Sequence, residues 1–159
     1  MKRLGFVDVN LGWEWLGRNE KYLVNERWNG RENKSGRKCF WFGCGVELKS
    51  RGSSYFDGGW INGGLNKRID EIWGNDDWNS LLLYKYEKGC ELKDHIDRKI
   101  FDERVVIINF CKEIVNFKYD KEIFGLSDGE IVEIDGSVLH GVKRVKDVRY
   151  SLSIRKVRG

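Results

Sequence analysis

Two histidines and one aspartate are the residues of this 159-residue chain whose types and spacing suggest chemistry. His95 and Asp97 are separated by one residue in the stretch DHIDRK (94–99), and His140 is the only other histidine. A His-x-Asp pair on its own is most often a solvated turn. Imidazole nitrogens and a carboxylate oxygen are, however, good ligands for a divalent transition metal, and three protein ligands leave coordination positions open. The three residues predict a metal site if the fold carries His140 to the His95 turn.

The segment RYSLSIR (149–155) carries two arginines on one strand face. With the period of two of a β-strand, four polar side chains share that face: Arg149, Ser151, Ser153 and Arg155. On an outer strand the arginines would face water. If the polar face looks into a barrel instead, the buried guanidinium groups need anionic partners, and a dicarboxylate co-substrate would supply them.

Tyr84 and Tyr86 occupy one face of LLLYKY (81–86), shortly before His95. Their hydroxyl groups could hydrogen-bond the same anion, although two aromatics on one strand face are more often part of a core. Two imidazoles and one carboxylate around one ion are also the ligand set of non-haem Fe(II) oxygenases, which leave positions open for O2 and a co-substrate. The combined pattern indicates a metal site of this oxygen-using type.

Short strands and one helix must position these side chains. The predicted strands are rich in β-branched or aromatic residues and are separated by turn sequences; they are 81–86, 104–110, 130–134, 137–145 and 148–157. A short amphipathic helix is predicted over 64–74, with Asn62 placed as its N-cap and Gly74 as its end. Its apolar residues at helical spacing are Leu65, Ile69, Ile72 and Trp73. We therefore predict an α+β, mainly β fold, an antiparallel barrel or sandwich with the helix on one face.

Length and composition limit the number of domains, the kinds of partner and the cellular compartment that we expect. The chain is long enough for one domain, 1–159, whose core needs no disulfide or metal to fold. Its 29 basic and 25 acidic residues give a net charge of +4, which permits a nucleic-acid partner without requiring one. The chain has neither a membrane-spanning apolar run nor a signal-peptide pattern, so we expect a cytoplasmic monomer that does not bind membranes. The four cysteines lack CxxC spacing, and we expect free thiols.

Taken together, the stretch LLLYKYEKGCELKDHID, His140 and the stretch RYSLSIR resemble the AlkB-like branch of the Fe(II)/2-oxoglutarate dioxygenases. The pattern of that branch is a tyrosine nine residues before His-x-Asp, a distal histidine, and two arginines with five residues between them. The segment GEIVEIDGSVLHGVKRV also resembles the strand and turn that lead to the distal histidine. The resemblance covers residues 81–158, about half of the chain.

The resemblance implies a double-stranded β-helix (jelly-roll) core, 61–159, behind an N-terminal extension, 1–60, that serves as a substrate lid. The implied Fe(II) ligands, and so the catalytic centre, are His95, Asp97 and His140. The residues implied for 2-oxoglutarate are Arg149, Arg155, Tyr86, Tyr84 and Ser151. Arg155 would also lie beside Asp97 and the metal.

The activity implied by the resemblance consumes 2-oxoglutarate and O2, releases succinate and CO2, and hydroxylates a substrate C–H bond. When that carbon is an N-methyl group, the product releases formaldehyde. The resemblance thus implies oxidative demethylation of alkylated bases in single-stranded DNA or RNA. The alternative is a hydroxylase of the same fold that acts on a nucleobase methyl group, a protein side chain or a small molecule. A non-catalytic binding module is a third hypothesis, which the complete set of ligands and arginines argues against.

A basic and aromatic stretch, NGRENKSGRKCFWFG (29–43), is the predicted substrate-binding segment. Its cations come first and its rings follow: Arg31, Lys34, Arg37 and Lys38, then Phe40, Trp41 and Phe42. Proteins that bind single strands use basic side chains to contact phosphates and aromatic rings to stack on bases. The alternative interpretation is a solvated loop that leads into a buried strand. Arg98 and Lys99 follow the His-x-Asp, where relatives that demethylate 1-methyladenine-type lesions tend to carry acidic residues. Their charge predicts contact with a phosphate or another acidic substrate.

Overall fold

The computed structural model describes residues 1–28, 31–32, 36–44, 64–74 and 77–158. These residues include two α-helices, α1 (Val9–Asn19) and α2 (Gly64–Trp73). The strands are β1 (Lys2–Phe6), β2 (Val24–Asn25), β3 (Arg27–Trp28), β4 (Arg31–Glu32), β5 (Arg37–Gly43), β6 (Ser80–Tyr86), β7 (Leu92–His95), β8 (Phe101–Cys111), β9 (Val115–Tyr119), β10 (Glu122–Leu126), β11 (Glu130–Asp135), β12 (His140–Val142) and β13 (Arg149–Val157). Among the described residues, no helix has the length and apolar character needed to cross a membrane.

Two antiparallel sheets form the body of the protein. The larger sheet has seven strands in the order β1-β11-β8-β13-β6-β5-β2, and the smaller has four in the order β10-β9-β12-β7. Strands β3 and β4 pair separately. From β6 to β13 the chain crosses repeatedly between the two sheets, which is the winding of a double-stranded β-helix. The mainly β, jelly-roll architecture expected from the sequence is confirmed.

The larger sheet is covered on both faces, so its strands are apolar on both sides. Along β8, Val106, Ile108 and Phe110 belong to the core formed with the two helices. Val105 and Ile107, which alternate with them, belong to the core between the two sheets. Strand β13 lies next to β8 and follows the same alternation, so one of its faces is directed toward the smaller sheet.

Helix α2 confirms the helix predicted over 64–74. Ile69 and Trp73 are buried in the core that the helices share with the larger sheet. Gly74 ends the helix with φ +97°, a left-handed conformation that favours glycine, and its N–H donates to the carbonyl of Asp70 at 2.9 Å. The predicted N-cap, Asn62, lies outside the described residues.

The described part of 1–60 contributes strands and a helix to the body of the protein. Strand β1 pairs with β11, and β5 pairs with β6, both within the larger sheet. Helix α1 buries Trp15 and Leu16 against the same sheet, because burial of large apolar side chains is the main favourable contribution to folding. The rest of the predicted lid, including 45–60, lies outside the described residues, as does the predicted boundary between 60 and 61.

Other elements also differ from the sequence prediction. The strand predicted over 137–145 is reduced to the three residues of β12, since the chain forms a turn before it and leaves the sheet after it. Strands β9 and β10 were not predicted, and they form a hairpin. Its turn residues Asp120 and Lys121 have φ of 51° and 67°, as in a type I′ turn, which usually carries Asn or Gly.

Two glycines of α1 give a matched pair of stability predictions. A Cβ at Gly17 meets no atom within 4 Å, whereas a Cβ at Gly12 would lie 2.3 Å from the buried ring of Phe110. Gly17→Ala should therefore raise the free energy of unfolding by up to about 1 kcal/mol through helix propensity. Gly12→Ala should lower it by about 1–3 kcal/mol through overpacking. Urea denaturation of both variants measures this, and equal effects would contradict the packing of α1 on β8.

Candidate functional site

The pairing of β7 with β12 brings the two histidines together. His95 ends β7, His140 begins β12, and the two residues are direct partners in the antiparallel register. Their ring centroids lie 4.4 Å apart. Asp97 follows β7, and its Oδ1 lies 3.3 Å from Nε2 of each histidine. One ligand atom from each of the three residues lies within 4.8 Å of the others.

Hydrogen bonds from the backbone fix the orientation of both imidazoles. Nδ1–H of His95 donates to the carbonyl of Lys93 at 2.9 Å, and Nδ1–H of His140 donates to that of Val138 at 2.7 Å. A carbonyl only accepts, so Nδ1 of each ring carries a hydrogen, and Nε2 is the nitrogen directed toward Asp97. This is the usual outer support of a metal-binding histidine.

Asp97 is held as a carboxylate with one oxygen directed at the histidines. Its Oδ2 accepts a hydrogen bond from Nη1 of Arg155 at 3.0 Å, which leaves Oδ1 toward His95 and His140. Burial alone would raise the pKa of Asp97, but hydrogen bonds with His140 and His95 and the charge of Arg155 hold it well below its usual range. Two nitrogens and one carboxylate oxygen thus converge on one point, and this donor set fits Fe(II).

Gly136 forms the close support of Asp97. Its carbonyl accepts from the backbone N–H of Asp97 at 2.9 Å, and a Cβ at Gly136 would lie 2.6 Å from Asp97 Oδ2. Its φ is outside the left-handed region, so alanine is allowed by the backbone and excluded only by the carboxylate.

We predict that Gly136→Ala displaces this carboxylate and weakens metal binding by about 10–100-fold, the usual effect of disturbing the support of a ligand. Titration of the protein with Mn(II), followed by calorimetry, measures the change. Gly17→Ala is the control, because nothing lies near its new methyl group. Wild-type affinity in folded Gly136→Ala would show that Asp97 is not a ligand.

A cavity of about 790 Å³ opens between the two sheets and contains the three candidate ligands at its wall. The polar face of β13 also lines it, through Arg149, Ser151, Ser153 and Arg155. The intervening residues Leu152 and Ile154 are fully buried on the side of the helices. The polar face of this strand is therefore directed into the barrel, which is the second of the two alternatives that the sequence left open.

Arg149 is a buried cation whose neighbours are uncharged. Only 1% of its surface is exposed, its Nε–H donates to Oδ1 of Asn109 at 2.7 Å, and its guanidinium lies 4.9 Å from the ring centre of Tyr86. Among the described residues, no carboxylate lies within ion-pair distance of it. Burial lowers the pKa of Arg149, with Tyr86 acting in the opposite direction. Such a site favours an anion, because an unpaired buried charge is strongly unfavourable.

Arg155 has a donor that the rest of the described chain does not use. Its Nη1 is bonded to Asp97, and its guanidinium lies 4.5 Å from the ring centre of Phe101. Its Nε is buried without a hydrogen-bond partner among the described residues. Two buried guanidinium groups, Arg149 and Arg155, thus face one cavity from the same strand, and this arrangement fits a small dianion.

The two tyrosines have different surroundings. Tyr86 is 2% exposed, lines the cavity and lies opposite Arg149 in the pairing of β6 with β13. Tyr84 lies opposite Ser151, but its hydroxyl donates to Oε1 of the buried Glu26. Burial, with the nearby charge of Glu26, raises the pKa of Tyr84. Since a phenol has one hydrogen to donate, Tyr84 cannot give the same hydrogen to a co-substrate, which differs from the expectation.

The larger sheet divides the predicted substrate residues between its two faces. In β5, Arg37 and Trp41 line the cavity, whereas Phe40 and Phe42 point to the helix side. Phe42 is 5% exposed and packs on Trp15, so the predicted stacking of substrate bases on Phe40 and Phe42 is corrected. A strand alternates its side chains, and a run of three rings cannot present all of them on one face.

The predicted cations are also divided. Arg98 is exposed and lines the cavity, while Arg37 lines it but is paired with Glu26. Lys38 is exposed on the face of β5 that also carries Phe40, which is not the cavity face. Lys99 is exposed and does not line the cavity. Arg31 is exposed in β4, and Lys34 lies outside the described residues.

Solved structures share this arrangement of strands. A prolyl hydroxylase from Trichoplax adhaerens, in complex with a hypoxia inducible factor oxygen degradation domain peptide fragment, matches 94% of this chain and 77% of its own with a TM-score of 0.65 and 11% identity. A prolyl-4-hydroxylase from Pseudomonas putida matches 98% of this chain and 91% of its own with a TM-score of 0.62 and 18% identity. The protein has the fold of these two hydroxylases. No protein-family model matches the chain, and no curated protein sequence matches it significantly.

Two residues beside the candidate site were missed by the sequence prediction. Asn109, which accepts a hydrogen bond from Arg149, is the one polar residue among residues 105–110, and that contrast could have identified it. Glu26 gave no comparable signal, because only the pairing of β2 with β5 brings it to Arg37. The likeness to the two solved structures is a likeness of fold, and it does not test the resemblance to the AlkB-like branch.

Proposed function

We propose that the protein is an Fe(II)/2-oxoglutarate-dependent oxygenase that hydroxylates a C–H bond of its substrate. One observation carries this proposal: a single cavity holds three converging ligand atoms and a fully buried guanidinium without an anionic partner among the described residues. The metal-ligand set by itself would fit several metals, and the buried Arg149 by itself would fit several anions. Their combination fits an iron site that takes an anionic co-substrate.

In this proposal His95, Asp97 and His140 hold the iron. Arg149 and the hydroxyl of Tyr86 bind the distal carboxylate of 2-oxoglutarate, and Ser151 lies beside them. Arg155 keeps Asp97 in place and offers its unused Nε–H to the co-substrate. With iron bound, the site would convert 2-oxoglutarate and O2 to succinate and CO2 while a hydroxyl group is added to the substrate.

The substrate would enter beside an aromatic wall. Trp41 and Phe101 have nearly parallel rings, 7° apart, with centroids separated by 6.2 Å, and Phe101 also contacts the Arg155 guanidinium. Ile96, between two of the candidate ligands, is 58% exposed. This mixture of apolar surface with the exposed Arg98 suits a side chain of a peptide or protein. The two hydroxylases of the same fold, one of them solved with a peptide fragment, favour the same class.

Demethylation of nucleic acid is the second candidate, and one feature favours it: Trp41 lies in the cavity, where it could stack on a base. It has less support than hydroxylation, because Phe40 and Phe42 are on the other face of β5. Arg37 is also paired with Glu26, which reduces the net positive charge that this part of the cavity offers to a phosphate.

Succinate formation tests the proposal. The protein is incubated with Fe(II), O2 and 2-oxoglutarate, alone and with proline-containing peptides, methylated single strands or unmethylated strands. Peptide-dependent succinate with a mass gain of one oxygen supports the hydroxylase. Formaldehyde from the methylated strand alone supports the demethylase instead. Absence of both succinate formation and 2-oxoglutarate binding would refute the proposal.

A further inference from the structure

A buried ion pair, Glu26 with Arg37, lies in the same cavity but away from the metal ligands. Nη2 of Arg37 is 2.6 Å from Oε2 of Glu26, and their side chains are only 13% and 5% exposed. The other oxygen of Glu26 accepts from the hydroxyl of Tyr84. Both oxygens of Glu26 are therefore bonded, and its charge is fixed in position at the cavity wall.

The strand register places this pair beside Arg149. Arg37 is the partner of Tyr86 in the pairing of β5 with β6, and Tyr86 is the partner of Arg149 in the pairing of β6 with β13. The two guanidinium groups lie on the ring of Tyr86 at 5.7 Å and 4.9 Å from its centre. We name this part of the cavity, lined by Arg37, Tyr86 and Arg149, the anion end.

The anion end carries two positive charges and one negative charge within a small buried volume. Arg37 and Arg149 each contribute a positive charge, and Glu26 contributes the negative one. The sum is a single positive charge, which matches one carboxylate. A guanidinium has five N–H donors, so the bond to Glu26 does not use all of those of Arg37.

We propose that the Glu26–Arg37 pair sets the charge of the anion end, with Arg37 strengthening and Glu26 limiting the binding of the distal carboxylate of the co-substrate. This inference rests on the proposed function. Arg37 and Glu26 act in opposite directions here, whereas the partners of a purely structural ion pair support the same fold and act in the same direction. The sign of each substitution effect therefore separates the two roles.

Calorimetric titration of 2-oxoglutarate into the Mn(II)-loaded full chain tests this inference without relying on turnover. Glu26→Gln removes the negative charge at nearly constant shape, and the affinity should rise about five- to tenfold. Arg37→Gln leaves Glu26 opposed to the incoming carboxylate, and the affinity should fall at least tenfold. The double variant should return to within a few-fold of wild type.

A co-substrate analogue localises the effect to one end of the cavity. The monomethyl ester of 2-oxoglutarate at the distal carboxylate carries no charge there, so Glu26→Gln should leave its affinity unchanged. If Arg37→Gln does not fold, Glu26→Gln still tests the inference, because the inference requires that this variant bind 2-oxoglutarate more tightly than wild type.

Glu26→Gln with unchanged or weaker binding of 2-oxoglutarate overturns the inference and leaves the proposed function in place. Wild-type protein that binds no 2-oxoglutarate overturns both. Glu20→Gln is the matched control, because Glu20 also bonds a cation, Lys85, and a tyrosine hydroxyl, that of Tyr150, but does not line the cavity, so the affinity of this variant should equal that of wild type.

Discussion

His140→Ala is expected to lose metal binding by at least 100-fold while the protein remains folded. The imidazole supplies one of three ligand atoms, and it is the one delivered from a distant strand, so the remaining His95 and Asp97 form an incomplete site. His140 is 4% exposed, and its removal leaves a small cavity beside Phe117 that should lower the free energy of unfolding by about 1–3 kcal/mol. Mn(II) calorimetry and circular dichroism measure the two effects.

Asp94→Asn is the control for this experiment. Asp94 directly precedes His95 in β7, but its carboxylate bonds to Lys118 at 2.8 Å instead of joining the cluster. Its substitution should leave Mn(II) affinity unchanged. Equal loss of affinity in both variants, or unchanged affinity in folded His140→Ala, would mean that the three residues do not form a metal site.

The parts of the site that could be predicted from the sequence are those that follow from strand periodicity. Arg149 and Arg155 lie six residues apart in an apolar strand, and an even spacing puts them on one face whatever the rest of the chain does. Which face is interior depends on the neighbouring strand. The fold answers this, because β8 beside β13 is buried on both of its faces, and the polar face of β13 lines the cavity between the sheets.

The parts that could not be predicted depend on pairings between distant short segments. The sequence does not predict which aromatic ring of β5 faces the cavity, because three consecutive aromatic residues show no alternation of polar and apolar side chains: Phe40, Trp41 and Phe42. Glu26 reaches Arg37 only because the two residues of β2 pair with β5. Helix α1 contains two glycines, Gly12 and Gly17. Because glycine has a low helix propensity, residue propensities do not predict this helix.

Aromatic contacts connect the candidate metal site to the proposed substrate entrance. The guanidinium of Arg155 binds Asp97 through Nη1 and lies on the ring of Phe101, which is in turn parallel to Trp41. A continuous series of contacts therefore joins Trp41, through Phe101 and Arg155, to the candidate ligand Asp97.

Arg149→Gln is expected to weaken co-substrate binding without lowering the free energy of unfolding. The substitution removes a charge that is fully buried and has no anionic partner among the described residues, so the free energy of unfolding of the ligand-free protein should stay constant or rise. The affinity for 2-oxoglutarate in the Mn(II)-loaded protein should fall at least 100-fold, because the distal carboxylate loses a charge-assisted pair of hydrogen bonds in a buried site.

Thermal denaturation with and without 2-oxoglutarate measures both effects at once. Wild type should be stabilised by the co-substrate in proportion to the logarithm of its concentration, whereas Arg149→Gln should show no such shift. Arg144→Gln is the matched control, because Arg144 also lines the cavity but its side chain is 77% exposed, and it should keep the wild-type shift. A wild-type shift in Arg149→Gln would remove Arg149 from the co-substrate site. A shift lost together with the fold would instead mean that Arg149 stabilises the ligand-free barrel, contrary to the unfavourable burial of its charge.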